Sequence, residues 1–390
     1  MKSAAAPISV YIHFPWCRRK CPYCDFATRA VDATQIPQVA YADAVIGEFK
    51  RRVAPLQNRQ LVSVFFGGGT PSLWSSTEVG RVLDVVVKGF AKVSPDLEVT
   101  LECNPDSLIE TQARGFVAAG INRLSVGVQS LQDDQLQFLG RLHDSVGAIN
   151  ALRAAAPHVD RLSGDLMFGM QNQSSSQLEA ELDTLLQIPV EHLSVYALTV
   201  EPRTSFGTLH RQGRLPLATD ERYAELFSAA EDFLCGKGFV HYEVSNYAKP
   251  GQESLHNQHY WQGGDYIGLG AGAVGCVPTD RQTKRRYVNH DDPLIYMARS
   301  TDATVEAQSE DLTTVDMVNE ALLLGLRTVE GVNIRQLQER TGHDPMSGRL
   351  QALDSQQKRG NLAVTATHWV VPQKRWLHLD GIVRSLFQSG

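Results

Sequence analysis

ISVYIHFPWCRRKCPYCDF, residues 8–26, is the stretch around which the rest of this 390-residue chain is organised. Residues 8–14 form an apolar run typical of a strand, and the proline that follows ends it. Cys17, Cys21 and Cys24 come directly afterwards with the spacing C-x3-C-x2-C. Thiolates this close together can converge on one iron–sulfur cluster. A cubane of four irons needs four ligands, so this stretch would leave one iron open for another group.

The spacing, placed just after an N-terminal strand, resembles the radical SAM superfamily, in which S-adenosylmethionine (SAM) occupies the open iron and is cleaved to a 5′-deoxyadenosyl radical. A zinc site is one alternative, but it would need a fourth nearby Cys or His. The nearest candidate, His13, alternates with Ile12 and Phe14 and so belongs to the strand. A disulfide framework is another alternative, but it is typical of secreted chains, and residues 1–14 make a poor signal peptide.

Composition indicates a globular chain from a reducing compartment, which we expect to be the cytoplasm. Hydrophobic residues make up 43% of the sequence and charged residues 21%, as is normal for a chain that buries a large core. No apolar run reaches the roughly 18–20 residues that cross a bilayer. We therefore expect no transmembrane segment and at most peripheral contact with a membrane. The net charge of −6 argues against a nucleic-acid partner.

The sequence predicts an α/β fold whose residues 1–240 form a partial (β/α)6 barrel. Six short segments rich in β-branched or aromatic residues are each followed by a stretch long enough for a crossover helix. Six such units imply a parallel sheet that curls into a full or partial barrel. The predicted strands are 8–14, 61–66, 97–102, 123–128, 161–167 and 191–198, and the predicted helices are 38–53, 76–91, 107–119, 144–155, 175–187 and 220–236.

Polar residues and glycines stand where the predicted strands end, and parallel barrels carry their active sites at that mouth. The first strand runs into the cysteines, and the second runs into Gly67-Gly68-Gly69-Thr70. A glycine-rich turn lets the backbone approach a ligand closely, and without G-K-[ST] it does not indicate phosphate binding. We therefore expect one cavity above the cluster. The later strand ends contribute Glu102, Gln129, Asp165 and Tyr196-Ala197.

The pattern changes after the barrel, and we divide the rest of the chain in two. Residues 241–304 flank the barrel and contain HNQHYW and a run, 263–275, whose glycines suit a loop. Residues 305–390 show helices, a hairpin and a last helix, which suggests a small α+β, winged-helix-like module. It has no basic stripe, so we favour a packing or lid role over DNA binding. The cysteines interpreted as small packing residues are Cys103, Cys235 and Cys276.

A longer series of motifs extends over residues 7–275: YIHFPWCRRKCPYCDF, FFGGGTPS, LECNP, RLSVGVQS, LGRLH, DLMFG, SVYALT, YEVSNYA and HNQHYW occur in that order. LLLGLRTVEGV, nearer the C terminus, fits the same series. Together these motifs resemble the oxygen-independent coproporphyrinogen III oxidase family and, within it, the HemW-type heme chaperones. The resemblance covers nearly the whole chain and implies a C-terminal module like that of HemN.

This resemblance implies three cofactors: a 4Fe–4S cluster, SAM and heme. Cys17, Cys21 and Cys24 would hold the cluster. His256, in HNQHYW, matches the motif assigned to heme binding, and neutral imidazole is a common axial ligand of heme iron. Tyr23 matches an aromatic residue that packs on SAM. The other positions at or within the matched SAM site are Tyr11, Gly68, Gly69, Thr70, Glu102, Gln129, Arg141, Asp165 and Ala197.

Two of these side chains suggest a role by their chemistry alone. The carboxylate of Glu102 could accept a hydrogen bond from the ammonium group of SAM or from a ribose hydroxyl. The guanidinium of Arg141 could hold the carboxylate of SAM by a bidentate fork. Arg141 could equally be a surface residue at the end of a helix.

Two departures separate this chain from the oxidases and favour the chaperone. The pattern typical of the oxidases is C-x3-C-x2-C-x-C, and Phe26 occupies the position of its fourth cysteine in this chain. The oxidases also carry an N-terminal extension before the position of Tyr11, which ten residues precede here. We therefore expect a protein that binds heme and transfers it to acceptor hemoproteins, including respiratory-chain ones, with a reductant for its cluster. The alternatives are a coproporphyrinogen III oxidase and an RNA-modifying radical SAM enzyme, against which the acidic balance speaks.

Overall fold

A computed structural model describes residues 6–280 and 283–388, and within them the chain forms seventeen strands and fourteen α-helices. The strands are β1 (Pro7–Phe14), β2 (Trp16–Cys17), β3 (Arg29–Ala30), β4 (Gln60–Gly68), β5 (Lys92–Cys103), β6 (Arg123–Gln129), β7 (Arg161–Phe168), β8 (His192–Ala197), β9 (Val240–Glu243), β10 (Asn246–Ala248), β11 (Asp265–Leu269), β12 (Val274–Pro278), β13 (Lys284–Asn289), β14 (Glu306–Leu312), β15 (Val332–Asn333), β16 (Ala363–Val364) and β17 (His368–Val370). The helices are α1 (Gln38–Val53), α2 (Ser76–Lys88), α3 (Glu110–Ala118), α4 (Asp133–Phe138), α5 (Ser145–Ala155), α6 (Ser175–Leu185), α7 (Ser205–Arg211), α8 (Asp220–Gly236), α9 (Leu255–Trp261), α10 (Pro293–Arg299), α11 (Thr314–Gly325), α12 (Ile334–Thr341), α13 (Leu350–Lys358) and α14 (Leu379–Ser385).

Twelve of the strands form one sheet, in the order β14-β13-β12-β11-β1-β4-β5-β6-β7-β8-β10-β9. Neighbours from β11 to β8 run parallel, and each of the six predicted strands overlaps one of them. The far neighbour of β8 is β10, which runs antiparallel to it, so the parallel strands do not close on β1. These findings confirm the α/β fold with a partial barrel.

The two faces of the parallel sheet differ in chemistry because successive residues of a strand point to opposite sides. Ile8 and Ile12 of β1 are fully buried in the core that the sheet shares with the surrounding helices. The intervening positions are more polar and bond across strands, as Ser9 Oγ and Ser63 Oγ do at 2.7 Å. The inner face can therefore present polar groups to a ligand. Helix α2 presents a buried stripe of Val79, Val82, Leu83 and Val86 to the apolar layer.

The glycine-rich run at 263–275 is not the loop that its composition suggested. It forms β11, which pairs in parallel with β1, and β12, which pairs antiparallel with β11. Glycine permits a close approach here, since a Cβ on Gly268 would lie 1.9 Å from the Val274 carbonyl oxygen. The Tyr287 hydroxyl donates to the Gly268 carbonyl and accepts from its N–H, at 3.0 Å each. With Ile267 fully buried, packing has overridden the weak strand preference of glycine.

The C-terminal segment adds a second, smaller sheet. β15, β17 and β16 pair antiparallel, and Leu322 of α11 and Trp369 of β17 are buried in the apolar core. β14 extends the large sheet by pairing with β13, so this segment is joined to the barrel by backbone hydrogen bonds. Among the helices of residues 6–280 and 283–388, none combines the length and the apolarity that crossing a bilayer requires.

Candidate functional site

A cavity of about 310 Å³, which we call the mouth cavity, opens at the carboxyl ends of the parallel strands. The cysteine loop between β1 and α1 forms part of its wall, and the ends of β4 to β8 form the rest. Parallel barrels bind their substrates at this end. Ten of the site residues proposed from the sequence line it: Cys17, Cys21, Tyr23, Cys24, Gly68, Gly69, Glu102, Gln129, Arg141 and Asp165.

The three cysteines of the motif differ in exposure. Cys17 is buried at the end of β2, whereas Cys21 and Cys24 are partly exposed. Burial raises the pKa of the Cys17 and Cys24 thiols, so metal binding has to offset the cost of forming buried thiolates. Arg141 Nη1 lies 3.5 Å from Cys21 Sγ, and a neighbouring cation favours the thiolate, which is the form that binds iron.

Tyr11 and His13 lie behind the cysteine loop and not on the wall of the mouth cavity. Burial lowers the pKa of His13 to about 4, so its ring is neutral at neutral pH. Its Nε2 lies 3.0 Å from the Ala27 carbonyl oxygen and must donate to it. Nδ1 then accepts from the Tyr11 hydroxyl at 3.0 Å. Both ring nitrogens are occupied, so His13 fastens the loop and is not available to complete a zinc site.

The glycine turn after β4 is bonded to the start of the cysteine loop. The N–H of Gly69 donates to the Phe14 carbonyl at 2.7 Å. A Cβ on Gly69 would lie 2.5 Å from the carbonyl oxygen of Trp16, so no larger residue fits without moving the backbone. Gly68 adopts φ 106, a conformation that favours glycine, and its N–H donates to Glu102 Oε2 at 3.1 Å.

Two partly buried carboxylates, those of Glu102 and Asp165, face the mouth cavity. Burial and the nearby charge of Asp165 raise the pKa of Glu102 to about 8, and burial raises the pKa of Asp165 as well. The Ser125 hydroxyl lies 3.1 Å from each carboxylate oxygen of Asp165 and donates to this group. Buried carboxylates are costly to ionise unless a cation neutralises them. An ammonium group in the cavity would supply that charge.

Arg141 bridges the cysteine loop and the barrel. The alternative that the sequence left open, a surface residue at the end of a helix, is therefore wrong. Its Nη2 donates to Asn104 Oδ1 at 2.8 Å and to the Gly127 carbonyl at 3.0 Å. Its Nη1 donates to the Tyr23 hydroxyl at 3.4 Å as well as facing Cys21. Its Nε is buried and finds no partner among the residues that the structure describes. A ligand carboxylate would satisfy that donor.

Asn104 is a residue of the mouth cavity that sequence reasoning missed. Its side-chain amide donates to Thr70 Oγ1 at 3.0 Å, while its oxygen accepts from Arg141. It thereby links the glycine turn to the guanidinium. The available signal was its place in LECNP, two residues after Glu102 at a strand end. Thr70 is buried behind the wall, where it supports the turn.

Two further positions show how the strands end. Gln129 adopts φ 68, a left-handed conformation that is uncommon without glycine, and it turns the chain at the end of β6. Ala197 is exposed at the end of β8 and lines a separate cleft, not the mouth cavity. The adjacent Tyr196 lines both.

His256 lies far from the cysteines, at the other end of β4. Its Nδ1 is 2.9 Å from Ser63 Oγ, five residues before Gly68 on the same strand, which corresponds to about 16 Å of strand. The ring is buried and packs 4.9 Å from the Phe65 ring. Burial lowers the pKa of His256 to about 4, so the imidazole is neutral. Its backbone N–H donates to Glu98 Oε1 at 2.9 Å.

The remaining cysteines are not alike. Cys103 and Cys276 are buried, as expected of packing residues, whereas Cys235 is exposed on α8. The apolar pattern of α8 placed Cys235 in the core, but the buried stripe runs through its neighbour Leu234. Cys235 therefore lies on the solvent side of the helix end.

The donors around the mouth cavity suit a 4Fe–4S cluster and SAM. Three thiols offer the cluster ligands, the partnerless Nε of Arg141 suits a carboxylate, and the carboxyls of Glu102 and Asp165 suit an ammonium group. The methionine part of SAM carries both of these groups. The residues present therefore fit the pair of cofactors that the motif implied.

Comparison with known proteins agrees with this reading. The model of the radical SAM superfamily matches residues 11–185, and that of the HemN C-terminal domain matches residues 312–378. The structure of coproporphyrinogen III oxidase (HemN) from Escherichia coli has the same fold, with a TM-score of 0.79 at 20% sequence identity over 98% of this chain and 90% of that one.

Curated relatives extend over most of the chain. The heme chaperone HemW of Bacillus subtilis is 35% identical over 86% of this chain and 87% of its own length. HemW of Haemophilus influenzae is 32% identical over 97% of each chain. The mitochondrial radical S-adenosyl methionine domain-containing protein 1 of Mus musculus is 37% identical over 87% of this chain and 77% of its own. With this identity over nearly its full length, the chain belongs to the HemW family of the radical SAM superfamily.

Proposed function

We propose that this protein is a heme chaperone, which binds heme and transfers it to acceptor hemoproteins and carries a 4Fe–4S cluster and SAM in its barrel. The main support is the similarity to the curated heme chaperone of Haemophilus influenzae over 97% of both chains. Phe26 adds to this support, because it occupies the position of the fourth cysteine in the pattern typical of the oxidases. Its side chain is 55% exposed and lines the mouth cavity, so it offers apolar surface in place of a thiol.

The residues of the mouth cavity define what each would do for the cofactors. Cys17, Cys21 and Cys24 would hold the cluster, which supplies the electron for cleavage of the sulfonium. Arg141 would bind the carboxylate of SAM, and Glu102 would accept from its ammonium group. Bound SAM would fill much of this cavity of about 310 Å³ and so help to keep water from the reactive centre.

We propose His256 as a ligand of heme iron. The ring is neutral, as ligation requires, and Nδ1 is already bonded to Ser63. Nε2 is then the nitrogen left for iron, and within residues 6–280 and 283–388 no hydrogen bond takes it up. Because His256 is buried, helix α9 would have to shift before a macrocycle could reach this nitrogen.

Hemin binding tests this function. The purified wild-type protein should shift the Soret band of hemin, and His256→Ala should weaken the shift. The exposed His210 on α7 supplies a matched control, since His210→Ala should behave as the wild type. If the wild type does not bind hemin, the chaperone function is wrong. If it binds hemin and His256→Ala binds equally well, only the assignment to His256 is wrong.

An oxidase is the second candidate, because five residues that match the oxidase SAM site line one cavity here: Gly68, Glu102, Gln129, Arg141 and Asp165. It would decarboxylate two propionate groups of coproporphyrinogen III. An anaerobic assay with reductant, SAM and reconstituted protein decides between the two: we expect no protoporphyrinogen, and its formation would favour the oxidase.

A further inference from the structure

A second cleft, of about 750 Å³, lies between the edge of the barrel and the C-terminal segment. We call it the edge cleft. The ends of β7 and β8 form one side. Residues 376–381, which include the first turn of α14, form the other. Its volume falls within the range of about 300–1,000 Å³ that is usual for sites of small molecules and cofactors. It is also larger than the mouth cavity.

The lining of the edge cleft is about as polar as it is apolar and suits a flat ligand that carries few charges. Arg327 and Asp380 are the only permanently charged side chains among its sixteen lining residues, so a highly charged ligand would find few partners. Leu377 is 49% exposed and Tyr196 is 40% exposed, and both would be covered by a ligand in the cleft. The aromatic residues of the lining are Phe168, Tyr196, Tyr223, Phe227 and Trp376.

Three polar groups of the cleft have unused bonding capacity. Arg327 donates through Nε to the buried Glu243, and no hydrogen bond of the described residues takes up its two Nη groups. The indole N–H of Trp376 is buried and has no partner in the described part of the chain, a costly state that a ligand acceptor would relieve. His378 is the one histidine of the lining and presents a ring that can bind a metal.

The edge cleft adjoins the mouth cavity. Tyr196 of β8 lines both of them, whereas Ala197, the next residue, lines only the cleft. A ligand in the cleft would therefore lie beside the site proposed for the cluster and SAM, on the other side of one phenol ring.

We propose that the edge cleft binds a tetrapyrrole, with the macrocycle among the aromatic side chains, a propionate on Arg327 and the metal facing His378. A tetrapyrrole combines the properties that the cleft selects: a flat apolar ring, few charges and a central metal. The inference rests on the proposed function and gives heme a second site, besides the one at His256; this second site is open in this structure, whereas the site at His256 requires α9 to move.

Filling the cleft tests whether the macrocycle binds there. A Cβ on Gly381 of α14 would meet nothing within 4 Å, so Gly381→Trp should fold and place an indole in the cleft. Gly236, at the end of α8, is equally unobstructed and lies outside the cleft, so Gly236→Trp is the matched control. We expect Gly381→Trp to weaken binding of metal-free protoporphyrin IX at least about tenfold, and Gly236→Trp to bind as the wild type.

His378→Ala separates the metal contact from the ring contact. It should alter the Soret band of bound hemin and leave the affinity for metal-free protoporphyrin IX within about twofold, while His210→Ala changes neither. If the wild type binds neither hemin nor protoporphyrin IX, the proposed function fails. If it binds both and Gly381→Trp binds them equally well, the cleft is not the site and the proposed function stands. If the spectrum of bound hemin is unchanged in His378→Ala, His378 is not a ligand of the iron.

Discussion

At the scale of single residues, Arg141 joins the two halves of the mouth cavity. One Nη faces Cys21 and Tyr23 of the cysteine loop, and the other is bonded to Asn104 and Gly127 of the barrel. A change in the proposed cluster ligands should therefore affect the proposed SAM site, because the same guanidinium contacts both parts of the cavity. Cys21 is the cysteine that this guanidinium contacts.

Cys21→Ala should lose the cluster and SAM cleavage together, since two thiols cannot hold a cubane that has one iron open. Iron and sulfide content and the brown absorbance of anaerobically reconstituted protein measure the first loss, and release of 5′-deoxyadenosine measures the second. Cys235→Ala, which removes an exposed thiol far along α8, should leave both unchanged. A Cys21→Ala protein with full brown absorbance would contradict the ligand set.

Glu102 should make the cofactor-free protein less stable as the pH rises. Its pKa in the folded chain is about 8, against about 4.3 in an unfolded chain. Between these values the folded state holds a proton that the unfolded state has released, so the free energy of unfolding falls with increasing pH, by an amount on the order of a few kcal/mol. Denaturant unfolding at pH 5, 7 and 8.5 measures this slope.

Glu102→Gln removes the titrating group while keeping the size of the side chain. The variant should lose less stability than the wild type between pH 5 and 8.5. The pH dependence that remains should come from Asp165, whose pKa is also raised by burial, and from buried histidines such as His13 and His256, whose lowered pKa acts in the opposite direction below about pH 6.5. Equal slopes in the two proteins would show that Glu102 ionises normally. SAM binding should release a proton in this window, because an ammonium partner favours the ionised carboxylate.

At the scale of elements, the sequence predicted the barrel strands well because each is a short β-branched or aromatic run between helical stretches. It failed for β11, which contains Gly268 and is flanked by Gly264 and Gly270. Glycine weakens an isolated strand, but here the missing Cβ of Gly268 admits Val274 at close range, and that of Gly275 in β12 admits Tyr287. That gain depends on residues brought together by the fold, so local pattern could not reveal it.

Helix α9 should be held in the barrel by Glu98. This side chain is fully buried and accepts from Arg161 Nη1 at 2.7 Å and from the N–H groups of Leu255 and His256 at 3.0 and 2.9 Å. Nearby arginines lower the pKa of Glu98 despite burial. Glu98→Gln should cost on the order of 3 kcal/mol, because it leaves the partly buried Arg161 without its charge partner. Denaturant unfolding checks the magnitude.

Asp84→Asn is the control for this change, since it breaks the exposed ion pair of Asp84 with Lys88 and should cost about 0–1 kcal/mol. Hydrogen exchange separates a local effect from a general one. Residues 255–261 should exchange faster in Glu98→Gln than in the wild type, and unaltered protection of this segment would show that α9 is held by other contacts.

At the scale of the whole molecule, the site divides into a part that the sequence could reveal and a part that it could not. The mouth cavity follows from strand ends, which local pattern locates, and ten of the predicted residues line it. The edge cleft combines positions as distant as Phe168 and Gly381. Its existence depends on how the C-terminal segment packs on β8, and no local motif records that. Ala197, which the resemblance assigned to the SAM site, lines this cleft instead of the mouth cavity, and its role stays a prediction.

Charge is also distributed unevenly over the molecule. The chain carries a net charge of −6, yet Arg18, Arg19 and Lys20 are consecutive and exposed between the first two cysteines of the motif. A local positive potential on a negative protein steers an acidic partner to one place. We therefore expect an acidic electron-transfer protein to reduce the cluster through this loop.

Arg19→Glu tests that expectation most directly, because Arg18 is bonded to Asp106 and Lys20 to Phe26, and changing either would disturb the loop itself. Reversing the charge should slow reduction by an acidic electron-transfer protein severalfold at low salt, and the difference should shrink at 1 M salt, where the screening length is only about 3 Å. Arg335→Glu, on α12, is the control for net charge alone and should change little. Reduction by an uncharged photoreduced deazaflavin should be equal in all three proteins. If Arg19→Glu does not change the rate of reduction by the acidic donor at low salt, the electron-entry surface lies elsewhere on the molecule.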